Sequence, residues 1–281
     1  MKHVKYYKQL FTPEEYKYIK EKCYDNDVKL NMPELSFTYR NNNYIYIYIY
    51  IMYKIDVIIQ ARMGSTRLPG KIMMKLEDKY VIDHVIERVS KSKNVRHVII
   101  CTSIKSTDDV IYNHCIKHNI KCFRGSEQNV LNRYYETAKY FGSEYIVRLT
   151  SDCPLIDHVY VDKMINKYFD LKLSYVGPKY YGNHKFPDGF NCEVFSFKCL
   201  EEAEKYSDIT EHEHVTTYII KKYSTYQYDY ELTKTYENIN LSQLHLSLDT
   251  PNDYIFLKDI FKNVYKKNKN FTLENILDYL N

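Results

Sequence analysis

The stretch Ile55–Lys71, IDVIIQARMGSTRLPGK, constrains the fold more than any other part of the chain. Its first half, Ile55-Asp56-Val57-Ile58-Ile59, is a short apolar run of the kind that forms a strand buried on both faces, as in a parallel sheet. Its second half turns abruptly to Gly64, Ser65, Thr66, Pro69 and Gly70, interleaved with Arg62, Arg67 and Lys71. A buried strand opening into a glycine-containing, cationic loop is an anion-binding arrangement. Glycine lets backbone N–H groups approach a phosphate closely, and arginine and lysine neutralise its charge. Two common phosphate loops are excluded by spacing. Five residues separate Gly64 from Gly70 and Ile72 follows Lys71, whereas a P-loop needs a shorter gap and a Ser or Thr after its lysine. The dinucleotide fingerprint G-x-G-x-x-G is also absent.

A chain of 281 residues can bury one large core or two small ones. A net charge of +4, with the basic residues dispersed, suits anionic small substrates and makes no case for nucleic acid. Seven cysteines without a C-x-x-C pair fit reduced thiols in a cytoplasmic protein. The N-terminus MKHVKYYKQLF lacks the apolar core of a secretory signal, and the run Tyr44–Met52, YIYIYIYIM, is too short to cross a bilayer. That run is an aggregation-prone β segment unless paired. Thr12-Pro13-Glu14-Glu15 predicts a helix start, with Thr as N-cap and Pro at the first helical position. Residues 1–51 are expected to be an appended segment, and residues 52–281 the catalytic domain.

Beyond the loop, Val81, Ile82, Val85, Ile86 and Val89 recur at helical spacing, and Val98–Thr102 reads as a second buried strand. Ser106 and Asp109 form a capping box for the next helix, so Asp108 and Asp109 are read as caps rather than acids. The segment Cys122–Glu127 precedes a helix bearing Val130, Leu131, Arg133 and Tyr134. Tyr145–Thr150 is an apolar strand that delivers Asp152 to its carboxyl end, where open α/β sheets bind ligands. Asp157 caps the following helix. Phe186–Phe195 reads as a turn at Asp188-Gly189 and then a strand. In Glu211-His212-Glu213-His214 the histidines are two apart, so the zinc motif H-E-x-x-H is not met. The alternation of Leu244, Leu246 and Leu248 predicts a strand ending at Asp249, and Thr250-Pro251-Asn252-Asp253 is a capping box with proline at the first helical position. Strand, helix and strand repeated in this way give an α/β fold with a parallel sheet.

The run Gln60–Lys71, the segment Arg124-Gly125-Ser126-Glu127, the turn Asp152-Cys153-Pro154 and the segment Asp249-Thr250-Pro251-Asn252-Asp253 together resemble the acylneuraminate cytidylyltransferase family. That family includes the sialic acid and KDO activating enzymes, and the likeness is nearest to its SpsF-like branch. It covers the chain from about residue 52 onward.

The resemblance implies a Rossmann-like, mostly parallel sheet of the nucleotide-diphospho-sugar transferase type. It also implies a β-arm insertion around residues 180–230, which commonly makes a dimer contact. The implied activity is transfer of CMP from CTP to a sugar acid, with a nonulosonic acid as acceptor and pyrophosphate released, for surface glycan synthesis. Ala61, Arg62, Gly64, Ser65, Arg67 and Lys71 would hold the triphosphate, with Arg124 and Arg133 along the base and ribose. Asp152 and Asp249 would share Mg²⁺, and with Lys71 and Arg67 they form the implied catalytic set. Asp188, Asn191, Glu193 and His214 would lie near the acceptor. The implied partners are the nucleotide, the sugar acid and, through that dimer contact, a second copy of the chain, without nucleic acid or membrane. A glycosyltransferase of the same fold and an inactive nucleotide-binding module are the alternatives; intact Lys71, Asp152 and Asp249 oppose the second.

Overall fold

The structure, a computed structural model, describes residues 53–178, 187–223, 225–228 and 241–280. The helix predicted from Thr12 and the Tyr44–Met52 run lie outside the described residues.

In chain order, β1 (Ile55–Gln60) leads through the basic loop to a small hairpin, β2 (Lys75–Leu76) and β3 (Lys79–Tyr80). Then come α1 (Val81–Val89), β4 (His97–Ser103), α2 (Asp109–Lys117), β5 (Lys121–Gly125), α3 (Val130–Phe141) and β6 (Tyr145–Thr150). These are followed by α4 (His158–Asp170), β7 (Tyr175–Pro178), β8 (Glu193–Ser196), α5 (Phe197–Tyr206), α6 (Thr217–Lys222) and β9 (Thr225–Tyr228). α7 (Pro251–Ile260) and α8 (Leu273–Leu280) close the chain, α7 running into a π-helical turn at Phe261–Tyr265.

Seven strands form one sheet in the order β5-β4-β1-β6-β8-β7-β9. β8 pairs antiparallel with β6 and β7, while every other pairing is parallel. β1 lies between β4 and β6 and is covered on both faces, so Ile55, Val57, Ile58 and Ile59 are all wholly buried. That double burial is why its sequence is continuously apolar rather than alternating. On one face Ile58, Ile99 and Ile146 pack against Leu131, Tyr134 and Ala138 of α3 and Leu200 and Ala203 of α5. Tyr134 reaches the sheet itself, its hydroxyl donating toward the carbonyls of Ile58 at 3.2 Å and Leu149 at 3.0 Å.

Local signals set most helix starts. Asp157 accepts the Tyr160 N–H at 2.9 Å, and Thr250 and Asp253 form the reciprocal box that opens α7. Two expectations change. Ser106–Asp108 is a short 3₁₀ turn, and Asp108 makes no side-chain cap to α2. The Leu244–Leu248 alternation forms no strand. It makes a single bridge, between His245 and Asp188, because Leu246 N–H is taken by the Asp188 carbonyl (3.0 Å) and Leu248 N–H by the Asp152 carbonyl (2.8 Å). Of the region expected to insert a β-arm, the described residues include β8 and β9 of the main sheet, with α5 and α6 between them, and residues 179–186 lie outside the described residues. Val194 and Phe195 are wholly buried. The six described cysteines are free thiols. Among the described residues no helix is long and apolar enough to cross a membrane.

Candidate active site

The carboxyl ends of β1 and β6 open side by side, since Gln60 pairs with Thr150. After β1 the loop folds on itself: the N–H groups of Ser65 and Gly70 both donate to the Met63 carbonyl, at 2.9 and 3.1 Å. Ser65 Oγ accepts the Leu68 N–H at 3.4 Å. Gly70 takes the left-handed conformation, φ 72°, a turn that L side chains rarely adopt. Its consequence is a sharp entry into Lys71–Met73, which turns the Lys71 side chain back under the loop.

There Lys71 Nζ meets two carboxylates at once, Asp152 Oδ2 at 2.6 Å and Asp249 Oδ1 at 2.9 Å. Arg67 donates to the same Asp249 oxygen at 2.8 Å. The Lys71 side chain is only 9% exposed, against 62% for Arg67. Burial alone would lower the Lys71 pKa, but the two carboxylates outweigh it and hold the ammonium above its ordinary range. Burial likewise pushes Asp249 up, and hydrogen bonding and charge from Lys71, with Arg67 and His245 adding to it, bring it below the usual carboxylate value. The site therefore holds a fixed cation between two anions. Because both carboxylates reach one nitrogen, they are close enough to share one small ion. An oxygen-only donor pair that leaves room for phosphate and water is what Mg²⁺ takes, so these residues fit the implied metal.

Three residues not expected at the site support this centre. Asp108 is 1% exposed; its Oδ1 accepts the Met63 N–H at 2.7 Å and its Oδ2 accepts the Ser103 hydroxyl. It ties the phosphate loop to the start of α2. Arg88, 3% exposed, donates to the carbonyls of Ile156 (2.9 Å), Leu155 (3.0 Å) and Phe271 (2.8 Å), pinning the turn that follows Asp152. Burial brings its pKa down to about 10. The signal was available, since Arg88 interrupts the apolar stripe of Val81, Val85 and Val89. His245 lies beside Asp249, with Nε2 3.6 Å from Oδ2.

The other expected residues separate into two groups. Arg62, Gly64 and His214 are exposed, Ser65 and Asn191 are half-buried, and Ala61 is buried at the end of β1. Asp188 is half-buried and bonded by Ser247 Oγ at 2.7 Å. Asp188 and Asp249 fall in one cluster with His245, which brings the 188 segment to Asp249. Three residues instead turn their charged groups toward the protein. Arg124 donates to the Ser103 and Lys105 carbonyls at 2.9 and 2.8 Å and pairs with Asp109 at 2.7 Å. Arg133 is 2% exposed and donates to the Ser126 carbonyl at 2.6 Å, shaping the loop rather than lining it. Glu193, 2% exposed, accepts from Arg148, from Tyr175 at 2.7 Å and from Thr216 at 2.7 Å. Burial pushes the Glu193 pKa up, but Arg148 and these hydroxyls together bring it below the usual value. In this structure it presents no free oxygen to a ligand.

A basic loop after the central strand, facing Asp152 beyond the end of β6 and Asp249 just before α7 at the carboxyl edge of a mostly parallel sheet, fits a nucleotide-handling α/β transferase. A model of the cytidylyltransferase family matches residues 57–277, and the chain belongs to that family. The chain is 35% identical over 217 residues to the spore coat polysaccharide biosynthesis protein SpsF of Bacillus subtilis, covering 75% of this chain and 88% of that one. Among solved structures, a cytidylyltransferase from Leptospira borgpetersenii superposes with TM-score 0.73 at 29% identity, covering 81% and 94% of the two chains. A CMP:2-keto-3-deoxy-manno-octonic acid synthetase complexed with CTP shares the fold, with TM-score 0.56 at 15% identity over 74% and 98%. The likeness read from the sequence, to this family and its SpsF-like branch, is thus borne out.

Proposed function

We propose that the protein activates a sugar acid, specifically a nonulosonic acid, by transferring CMP to it from CTP with release of pyrophosphate, as a step toward surface glycan. The observation that carries this reading is the convergence of Lys71 and Arg67 from the basic loop with Asp152 and Asp249 from two segments distant in sequence.

In this reading the loop N–H groups, Ser65, Arg67 and Lys71 bind the triphosphate, with Arg62 and Ala61 at its edge. Lys71 exchanges a carboxylate for a phosphate oxygen as nucleotide enters. Asp152 and Asp249 hold a divalent cation, Mg²⁺, which supplies positive charge to the α-phosphate as charge builds there. The acceptor hydroxyl oxygen bonds to the α-phosphorus while the bond to the bridging oxygen breaks. Pyrophosphate leaves and the hydroxyl proton passes to solvent. Positioning and electrostatics supply most of the catalysis in such transfers. Asp188, Asn191 and His214 face the acceptor, and Glu193 braces that side through Arg148. Arg124 and Arg133 shape the base and ribose side through the backbone they hold. Residues 1–51 are an appended segment, since the family match begins at residue 57. The working form is a cytoplasmic homodimer.

The test is calorimetric binding of CTP, UTP, ATP and GTP with and without Mg²⁺, followed by pyrophosphate release with a panel of sugar acids. Mg²⁺-dependent preference for CTP and release with a nonulosonic acid are expected. Preference for another nucleotide, or silence with every sugar acid, overturns the reading.

A further inference from the structure

Asp249 faces two ways. Its Oδ1 meets Lys71 and Arg67, while Oδ2 is turned toward Ser247 Oγ at 3.4 Å and His245 Nε2 at 3.6 Å. On this second side Asp188, His245 and Asp249 each bring a donor atom, all within 4.8 Å of one another.

The imidazole is 44% exposed yet held in place. Its Nδ1 lies 2.8 Å from Asp188 Oδ2. A hydrogen on Nδ1, donated to Asp188, leaves the Nε2 lone pair on the side of Ser247 Oγ and Asp249 Oδ2, 3.3 and 3.6 Å away. A carboxylate behind the imidazole is how proteins fix the tautomer and orientation of a metal-binding histidine.

The backbone enforces the juxtaposition. Asp188 N–H donates to the Leu244 carbonyl at 3.2 Å, and Leu246 N–H returns to the Asp188 carbonyl at 3.0 Å. Gly189 sits at φ +96°, where a Cβ would fall 2.5 Å from the Leu246 carbonyl carbon. The two segments approach so closely that only glycine fits between them.

Charge points the same way. Asp188, Asp249 and Asp253 all surround His245, while Lys71 and Arg67 serve the opposite oxygen of Asp249. Among the described residues, His245 is the one group in ion-pair range of Asp188 and Asp253. Three carboxylates around one imidazole leave room for a further positive charge.

We propose that this is a cation site of mixed nitrogen and oxygen donors, with His245 Nε2 and Asp249 Oδ2 as ligands and Asp188 as the carboxylate that positions the imidazole. It takes a later first-row transition-metal dication such as Fe²⁺ or Zn²⁺ in preference to Mg²⁺, because imidazole suits the former and the harder Mg²⁺ holds to oxygen and water; Mn²⁺ serves as its paramagnetic stand-in. It shares only Asp249 with the oxygen pair of Asp152 and Asp249, and it needs no nucleotide.

The experiment is titration of Mn²⁺ into the full chain without nucleotide, followed by electron paramagnetic resonance, with pulsed detection of ¹⁴N coupled to the bound ion. Imidazole ¹⁴N coupling is expected in the wild-type protein and in Asp152→Asn, and its loss in His245→Gln. Asp188→Asn should keep the coupling while weakening Mn²⁺ about 10–100-fold. Bound Mn²⁺ without ¹⁴N coupling in the wild type, or unchanged Mn²⁺ affinity in His245→Gln, overturns the proposal. His245 is a surface side chain, so its variant is expected to fold and carries the test even if Asp188→Asn does not. The readout is metal binding alone, so it is decided separately from the sugar-acid reading, which pyrophosphate release decides.

Discussion

Asp108 accepts the backbone N–H of Met63 at 2.7 Å across 45 residues of sequence, so the phosphate loop and the start of α2 share one buried carboxylate. Cutting Asp108 back to alanine leaves the Met63 amide and the Ser103 hydroxyl without this partner, at a cost of about 1–3 kcal/mol. Part of that cost should appear as a loosened loop. The expected result for Asp108→Ala is CTP affinity reduced about tenfold by calorimetry, with a smaller change in kcat than in KM. An unchanged affinity would detach Asp108 from the loop's binding role.

Lys71 neutralises Asp152 and Asp249 together. Lys71→Ala should lower turnover by about 10²–10³-fold, the scale of losing one charge-stabilising group. Pyrophosphate release measures it. Turnover near wild type would remove Lys71 from the chemistry.

Asp152→Asn retains the shape of the turn and leaves Lys71 its bond to Asp249. It is expected to abolish metal-dependent turnover and to shift the melting temperature little. A metal titration of activity beside a thermal melt separates the two effects, and preserved turnover would sink the metal role of Asp152.

Glu193 and Arg148 form a buried pair between β6 and β8. The folded-state pKa of Glu193 is depressed, so its contribution is present above the unfolded value of about 4.3 and is lost as pH falls through the folded value. Glu193→Gln should destabilise the protein by about 3–5 kcal/mol at neutral pH. The gap to wild type should narrow as pH drops below about 5. Urea unfolding at several pH values measures this, and a gap independent of pH would contradict the pairing.

Gly189→Ala places a Cβ against the Leu246 backbone at a φ of +96°. A loss of about 1–3 kcal/mol is expected from the strain alone, visible as a lower melting temperature. An unaltered melt would mean the backbone there is looser than its geometry.

Much of this was legible in the residues. The apolar run before a cationic glycine loop located β1 and the basic side of the site, and strand-end logic placed Asp152 at the carboxyl edge of the sheet, where the structure also brings Asp249. Asp157 and the Thr250–Asp253 box declared their helix starts, because capping is local chemistry. What failed was local chemistry overruled from a distance. Asp108 has the look of a cap, but the Met63 amide and Ser103 claim its carboxylate instead. The Leu244–Leu248 alternation has the period of a strand, but its N–H groups are taken by Asp188 and Asp152 rather than by a ladder. Arg124, Arg133 and Glu193 show that sequence alone does not tell a charge that meets a ligand from one that holds a carbonyl or a buried partner. Burial decides that, and burial is tertiary.

The reversed strand β8 carries a further consequence. Because it runs against β6, with Glu193 opposite Arg148 and Ser196 opposite Tyr145, its entry rather than its exit lies at the ligand edge of the sheet. The nucleotide side is thus reached by residues leaving strands, and the Asp188 side by residues approaching one. The Asp188 side carries its own clamp, Gly189 against the Leu246 backbone, so the two sides of that edge are fixed by independent contacts.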